Sequence, residues 1–514
     1  MRTWIVKHTS VLVFFVVVGL GFVLVPSIGV SWDEPDNIYA GGVYWNFFVQ
    51  GGDSRVFEQA NIPTSSYFGN TIYSQNTDLH RYPPVPNYVG TAISAIARSA
   101  GWGNTAVAIM RSFHWATVLF FALLTVTVFR FGRLLGLSYG ASLFGALGAL
   151  FYPTLFGYGF SNLKDTAQAA MFTLTLYYLV RAELVASKKD LLVGGALWGL
   201  ALATKFNAIY VPIIWGLWFL VLGKRRAMPV RVLTVVAIGL VTSFLVWPYL
   251  WFDPVGRSLS VIRYFTSVGE GFAIFWNGQL FHVGIGQPLW WYPWANLVVV
   301  TPLPILILSI IGTVAVGFGL LRGKKLHSIL LIWLVVPFLR AMLPRAAFYD
   351  GLRHFLEVLP AVILLAAEGL DIFARQWRKT ATVVAVVTIG YLIFVNITLF
   401  PYSSGYYNEL ARNANTNFDR DIEALSVGEA MDWLHNRYGA VRVWARIGGH
   451  LAWYWVTSGD TYVYGPETAD FIILVNKSSH ITRPDFEKYI GPAFRLDHVV
   501  SRSDAILAWI YKRT

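Results

Sequence analysis

The 514-residue sequence contains no cysteine, which excludes a disulfide framework, a thiolate metal site and a thiol nucleophile. Charge is scarce too. Asp, Glu, Lys and Arg make up 13% of the chain against 56% hydrophobic residues, about half the charged share usual in soluble domains. A water-soluble globule so poor in charge would expose apolar patches and aggregate. A cytosolic enzyme, a nucleic-acid module and a disordered scaffold are therefore excluded. The 40 Lys and Arg outnumber the 28 Asp and Glu, for a net charge of +12. In so apolar a chain that excess fits cytoplasmic loops held near anionic lipid, with no nucleic-acid partner. The chain reads as a polytopic α-helical membrane protein.

A bilayer core needs roughly 20 apolar helical residues, because unpaired backbone in hydrocarbon is too costly for most other solutions. The stretch 11–30 carries no charge and is followed by SWDEPD, which lacks a small-x-small cleavage pattern. It therefore reads as an uncleaved helix rather than a signal peptide. Further spans are expected near 104–129, 139–159, 166–185, 191–204, 206–222, 231–250, 296–321, 326–343, 354–374 and 380–400. That makes about eleven, with 191–222 folded into a hairpin at Lys205.

Starting with the N-terminus inside, every inside segment is basic. They hold Arg2 and Lys7; Arg130 and Arg133; Arg181, Lys188 and Lys189; Lys224, Arg225, Arg226 and Arg231; Arg322, Lys324 and Lys325; and Arg375, Arg378 and Lys379. This is the positive-inside pattern. It leaves 31–103, 251–295 and the tail outside the cytoplasm. The expected organisation is a transmembrane domain over 1–402 and a small extracytoplasmic α/β domain over 403–514. The tail shows apolar runs at 441–446, 470–475 and 505–511 and a helical pattern at 427–438. The last membrane helix is expected to anchor it.

Ionisable residues at or near a membrane span are functional candidates by default, and several fall on the outer face. Asp33 and Glu34 follow the first helix, and Lys164 and Asp165 start the fourth. Lys205 tips the hairpin, Arg340 and Arg345 end the ninth helix, and Arg353 and His354 begin the tenth. A lipid-linked sugar phosphate places its phosphate at this depth, where Lys and Arg can hold it. A phosphate monoester leaves readily, so one carboxylate acting as general base on an acceptor hydroxyl suffices for displacement with inversion. Asp33 is the expected base. Glu34 and Asp165 would position the acceptor or hold a divalent cation.

The segments SWDEPDNIYAGG, GFSNLKDTAQAAMFTLTLYYLVRA and GLALATKFNAIYVP resemble GT-C-type glycosyltransferases, the protein O-mannosyltransferase and aminoarabinose-transferase relatives. WPYLWFDPVGR, TPLPILILSIIG, YDGLRHFLEVLPAVILLAAEGL and GYYNELARN are similar in the same order, so the resemblance spans roughly 31–435. It implies a GT-C-like fold, a polyprenyl-phosphate-sugar donor and an active site on the extracytoplasmic side of a plasma (inner) membrane. It matches Asp33 to the catalytic acidic motif, Asp165 to the second acidic motif, Lys205 to a lysine near the lipid phosphate and Arg353 to a basic motif. The chain departs from the pattern after YYNEL, where ARNANTNFDRD replaces a glycine-rich stretch. His354 joins Arg353 and Lys205 as a donor-phosphate candidate, and Lys164, Trp251 and Tyr349 are possible substrate-lining residues.

Each residue also has an ordinary reading. Asp33 and Asp165 could be helix N-caps, Lys205 could snorkel to headgroups, and the Trp-rich segment 247–294 could be an aromatic belt. His80 and His282 lack ligand spacing, so the metal question stays open on carboxylates alone. Asn408 and Glu409 are expected to end the extension of helix eleven or to pack the tail, and Asn476-Lys-Ser matches a glycosylation sequon that chance explains. The competing functions are a transporter or lipid flippase, which would bury charge near the midplane, and a non-catalytic cell-envelope assembly protein.

Overall fold

The computed structural model describes residues 2–57, 81–103, 105–267, 269–286, 288–343, 346 and 348–514. Each expected span contains helix. Among the described residues, five helical stretches are long and apolar enough to cross a membrane alone: Ile5–Ser27, Ala106–Leu134, Met228–Val246, Leu303–Leu321 and Arg378–Leu399. A sixth is the pair Tyr139–Phe151 and Pro153–Ser161, bent by 59°. Pro153 forces the bend, since the residue before proline is pushed out of the helical region and Tyr152 is extended at ψ 119°. The remaining expected spans are shorter or more polar helices, among them Leu163–Leu184, Lys188–Leu202, Tyr210–Leu222 and Leu359–Gln376.

One expected span is divided. The region 296–321 breaks at Thr301-Pro302 into Tyr292–Val300 and Leu303–Leu321. The carbonyls the break frees need donors, and Asn408 Nδ2 supplies them, donating to Val298 O and Thr301 O at 2.7 Å each. Helices Leu303–Leu321 and Leu359–Gln376 then pack backbone to backbone. A Cβ on Gly312 would overlap the Leu365 carbonyl, and one on Gly369 the Leu308 carbonyl. Small residues at the crossing allow this approach, as is usual where lipid supplies no hydrophobic drive.

The segments expected outside the cytoplasm carry their own structure. Helix Glu34–Val49 follows the first span, and 251–295 holds helix Pro254–Ser267 and a hairpin of β1 (Ala273–Trp276) and β2 (Gln279–His282). The tail is an α/β domain with strands β3 (Arg442–Ala445), β4 (Thr461–Tyr462), β5 (Phe471–Val475), β6 (Phe494–Arg502) and β7 (Ala505–Arg513). The sheet order is β4-β3-β5-β7-β6, with β4 and β5 parallel to β3 and the other pairings antiparallel. Helix Ser426–Tyr438 is the one the apolar pattern anticipates. Asp421 caps it, its carboxylate accepting from Leu425 N at 3.0 Å and Ser426 N at 2.8 Å.

The tail is held by more than the last membrane helix. Tyr402 donates to Glu429, Trp276 packs on Phe418, and His450 Nε2 lies 3.1 Å from the Trp32 carbonyl. This domain packs onto the helix ends where Asp33, Asp165 and Arg353 lie.

Candidate active site

The charged cluster is organised around Arg353. Helix Leu163–Leu184 begins at Asn162, whose Oδ1 accepts from Asp165 N at 3.0 Å. Asn162 is thus the N-cap, the position the sequence offered to Asp165, and the Asp165 carboxylate is free for other work. Its Oδ1 accepts from Lys205 Nζ and its Oδ2 from Arg353 Nε at 2.8 Å. Lys205 arrives there because the hairpin turns at 203–205, where the Lys205 backbone is extended (φ −159°).

Arg353 spends its remaining donors on three more carboxylates. Nη2 donates to Asp33 Oδ2, while Nη1 lies 3.2 Å from Asp350 Oδ2 and 3.3 Å from Glu423 Oε1. Asp350 sits at a positive φ of 55° beside Gly351, a tight turn that swings its carboxylate back over Arg353. Its other oxygen takes Lys477 Nζ at 3.0 Å. Glu423 also accepts from Asn162 Nδ2 at 3.3 Å. Burial raises the affinity of Glu423 for its proton, and the Arg353 guanidinium opposes that shift.

Carboxylates from four chain segments, at 33, 165, 350 and 423, therefore converge on one guanidinium. Four carboxylates face three cations, because a buried charge persists only when paired and hydrogen-bonded. Exposure separates the carboxylates: Asp165, Asp350 and Glu423 side chains are 2%, 8% and 0% exposed, whereas Asp33 is 32% exposed. Asp33 is also the residue preceding helix Glu34–Val49, yet its side chain makes no capping bond. One oxygen is fixed by Arg353, and the other has no partner among the described residues. This geometry suits a base that must be oriented and still reachable.

The other candidates fall out as follows. Glu34 is buried, accepts from Ser31 N at 3.1 Å and lies 2.9 Å from His114 Nε2. Its partners are thus Ser31 and His114, and Arg353 is not among them. Lys164 Nζ stands 3.5 Å from the centre of the Tyr82 ring with no carboxylate partner among the described residues. The His354 ring lies against Tyr349, 4.4 Å between centres, and its carbonyl accepts from Asn207 and Arg340. Arg340 bonds only neutral oxygens, Asn207 Oδ1 at 2.9 Å and His354 O at 3.1 Å, so its charge has no carboxylate partner among the described residues.

Trp251 is not brought to the cluster. It packs on Phe47 and donates to Phe244 O at 2.7 Å, beside a separate apolar group that includes Trp247. His282 sits on β2 near the Gly271 carbonyl, while His80 and Arg345 lie outside the described residues. Glu409 accepts from Tyr391. Asn476 is buried and donates to Asn415 O and Ile506 O, so its sequon is spent on holding the tail together. Among the described residues no group of three or more His, Asp and Glu is arranged to hold a metal ion. The carboxylates are neutralised by Arg353, Lys205 and Lys477 instead.

Sequence reasoning missed Asp350, Glu423, Lys477 and Asn162. Asp350 lay inside a quoted motif, next to a glycine that marks the turn. Glu423 and Lys477 belong to the tail domain and carry no local signal.

A second set of contacts joins the basic loops. His327 Nε2 lies 2.8 Å from Leu135 O, Ser138 N donates to Asp371, Trp218 donates to Leu326 O, and Glu183 takes Lys224 and Arg231. Helix Leu163–Leu184 runs from one set to the other, with Asp165 at its start and Glu183 at its end. At 1.5 Å per residue its 22 residues span about 33 Å, so the two sets lie at opposite ends of the helical bundle.

Residues 81–252 match the family described as dolichyl-phosphate-mannose-protein mannosyltransferase. That match includes Lys164, Asp165 and Lys205 but neither Asp33 nor Arg353. Among solved structures, ArnT from Cupriavidus metallidurans bound to undecaprenyl phosphate is similar over 99% of this chain and 98% of that one. Its TM-score is 0.51 at 15% identity. The oligosaccharyltransferase AglB from Archaeoglobus fulgidus, in complex with an inhibitory peptide and a dolichol-phosphate, is similar over 92% of this chain and 70% of that one. Its TM-score is 0.48 at 10% identity. No curated protein sequence matches the chain. The ArnT likeness shows a common fold, and the resemblance to GT-C-type membrane proteins read from the sequence stands.

Proposed function

We propose that this GT-C-type membrane protein is a glycosyltransferase that moves a sugar from a polyprenyl-phosphate carrier to an extracytoplasmic acceptor, with inversion. The observation that carries the reading is the Arg353 cluster, in which one carboxylate of four, Asp33, is both oriented and accessible. The positive-inside rule puts the basic-loop end in the cytoplasm, which leaves the cluster on the outer face of the membrane. The family matched by 81–252 is named for dolichyl-phosphate-mannose, and the ArnT structure holds undecaprenyl phosphate. Both support a lipid-phosphate donor.

In the reaction, the acceptor hydroxyl oxygen attacks the anomeric carbon while its proton passes to the free oxygen of Asp33. The bond from that carbon to the phosphate oxygen breaks, and its electron pair leaves with the phosphate. Arg353 holds the Asp33 carboxylate in one orientation, which is worth most when the reacting atoms must align. Two cations stand ready for the phosphate. Arg340 has no carboxylate partner among the described residues, and Lys205 has donors left beyond its bond to Asp165. Positive charge already in place where the phosphate charge develops lowers the barrier without reorganisation.

The test is release of labelled polyprenyl phosphate from a panel of polyprenyl-phosphate sugars, with the full chain in nanodiscs and membrane-extract acceptors. Release by the wild type and its loss in Asp33→Asn support the reading. Equal release by both removes Asp33 as the base. No release from any donor by a well-folded sample favours the transport or assembly alternatives.

A further inference from the structure

We propose that the cleft between the 32–36 turn and the C-terminal sheet is the acceptor site and that it takes an acidic glycan. This rests on the glycosyl-transfer reading above and narrows it to a class of acceptor. The cleft has a volume of about 890 Å³, at the upper end of the range for small-molecule sites. Its walls are aromatic to an unusual degree: Trp32, Trp444, Trp453, Tyr454, Tyr462 and Tyr464.

The topology explains why a cleft forms here. β3 lies between β4 and β5 and runs parallel to both, so the chain leaves β3 on one side and returns on the other. Open sheets bind ligands in the crevice outside the carboxyl ends of strands at such a reversal. The lining residues occupy that edge: 444–450 end and follow β3, Tyr462 and Tyr464 end and follow β4, and His480 follows β5. The turn after β3 is pressed flat. Gly448 has φ +75°, and a Cβ on Gly449 would overlap the Tyr462 hydroxyl, which keeps the crevice open.

The lining chemistry selects the occupant. Sugar rings offer flat C–H faces that lie on aromatic planes and hydroxyls that need polar partners at the rim. Trp453 and Tyr464 are 53% and 77% exposed, so they present ring surface to a ligand instead of filling the domain core. Arg446 is exposed and its guanidinium has no carboxylate partner among the described residues. It is a ready partner for a carboxylate or phosphate on the glycan. An extended peptide fits poorly, because the edge strand β4 has only two residues and offers little backbone for strand addition. The cleft also leads to the chemistry. Trp32, Pro35 and Asp36 line it and bracket Asp33, so a glycan held in the cleft brings a hydroxyl beside the base.

The test uses the full chain in nanodiscs on an array of uronic-acid-containing oligosaccharides, neutral oligosaccharides and acidic peptides, with no donor present. The expected result is retention of the acidic oligosaccharides. Trp453→Ala should weaken that retention about tenfold, equal to about 1.4 kcal/mol. Arg446→Gln should cut the preference for acidic over neutral oligosaccharides at least severalfold. Both side chains are exposed, so thermal midpoints should match the wild type, and Tyr464→Ala serves as a second probe if one variant misfolds. Failure to retain any oligosaccharide, retention untouched by Trp453→Ala and Tyr464→Ala, or a preference for peptides overturns the assignment. Donor turnover without glycan binding removes the cleft assignment alone. Glycan binding without donor turnover removes the transfer reading alone.

Discussion

Asp33→Asn separates chemistry from architecture, because the structure assigns very different costs to the two. The wild-type cluster holds four carboxylates, Asp33, Asp165, Asp350 and Glu423, against three cations, Arg353, Lys205 and Lys477. Neutralising Asp33 leaves three of each. Arg353 keeps carboxylate partners at 2.8, 3.2 and 3.3 Å, and the amide oxygen can still accept its Nη2 hydrogen. Asp33 is about one-third exposed, and ion pairs open to solvent are worth only about 0–1 kcal/mol. The thermal midpoint should therefore stay close to that of the wild type. Turnover should not. Loss of a general base costs about 10²–10⁴ in rate, or about 2.7–5.4 kcal/mol of barrier. The assay is donor-dependent lipid-phosphate release beside a thermal melt on the same nanodisc preparation. Turnover within threefold of the wild type would refute the base assignment. A melt lowered in proportion to activity would refute the claim that Asp33 is structurally dispensable.

Three further substitutions probe the cluster and the tail. Asp165→Asn removes the buried partner of both Lys205 and Arg353, and breaking a buried pair costs about 3–5 kcal/mol. Its melt and its turnover should fall together, unlike those of Asp33→Asn. Arg353→Lys keeps the charge but loses the planar fork that reaches four carboxylates, so activity should drop by more than about tenfold with the protein still inserted; full activity would show that the fork is unnecessary. Asp419 gives a pH test. Its carboxyl is buried and pushed up to about 6 by desolvation, with Ser479 N bonding it at 2.9 Å. A raised carboxyl pKa stabilises the fold below the unfolded value near 3.8 and loses that contribution as pH rises through 6. Linkage gives about 1.4 kcal/mol more stability at pH 5 than at pH 7.5 from this group. Asp419→Asn should remove that part of the pH dependence of the melting midpoint, and an unchanged slope would show that Asp419 does not titrate there.

The sequence by itself determined that the chain is a helical membrane protein, because burial in lipid is a matter of composition along the chain. Apolar runs of the required length and the alternation of basic loops located a helix in every expected span. The strands at 442–445, 471–475 and 505–513 and the helix at 426–438 were equally legible as local periodicity. Asp33, Asp165, Lys205 and Arg353 could be picked out because charge beside a membrane span is costly enough to need a reason.

Only the tertiary structure decided how those charges are used. It made Asn162 the cap in place of Asp165, turned Glu34 toward His114 and left Trp251 against Phe47, away from the cluster. It also brought Glu423 and Lys477 from the tail, at least 70 residues beyond Arg353 in the chain, onto the same cluster. The physical reason is that periodicity and hydropathy are sums over neighbours in sequence, whereas a buried guanidinium is satisfied by whichever carboxylates the fold delivers to it. Which carboxylate stays accessible, and so can accept a proton, is settled by what packs over the others.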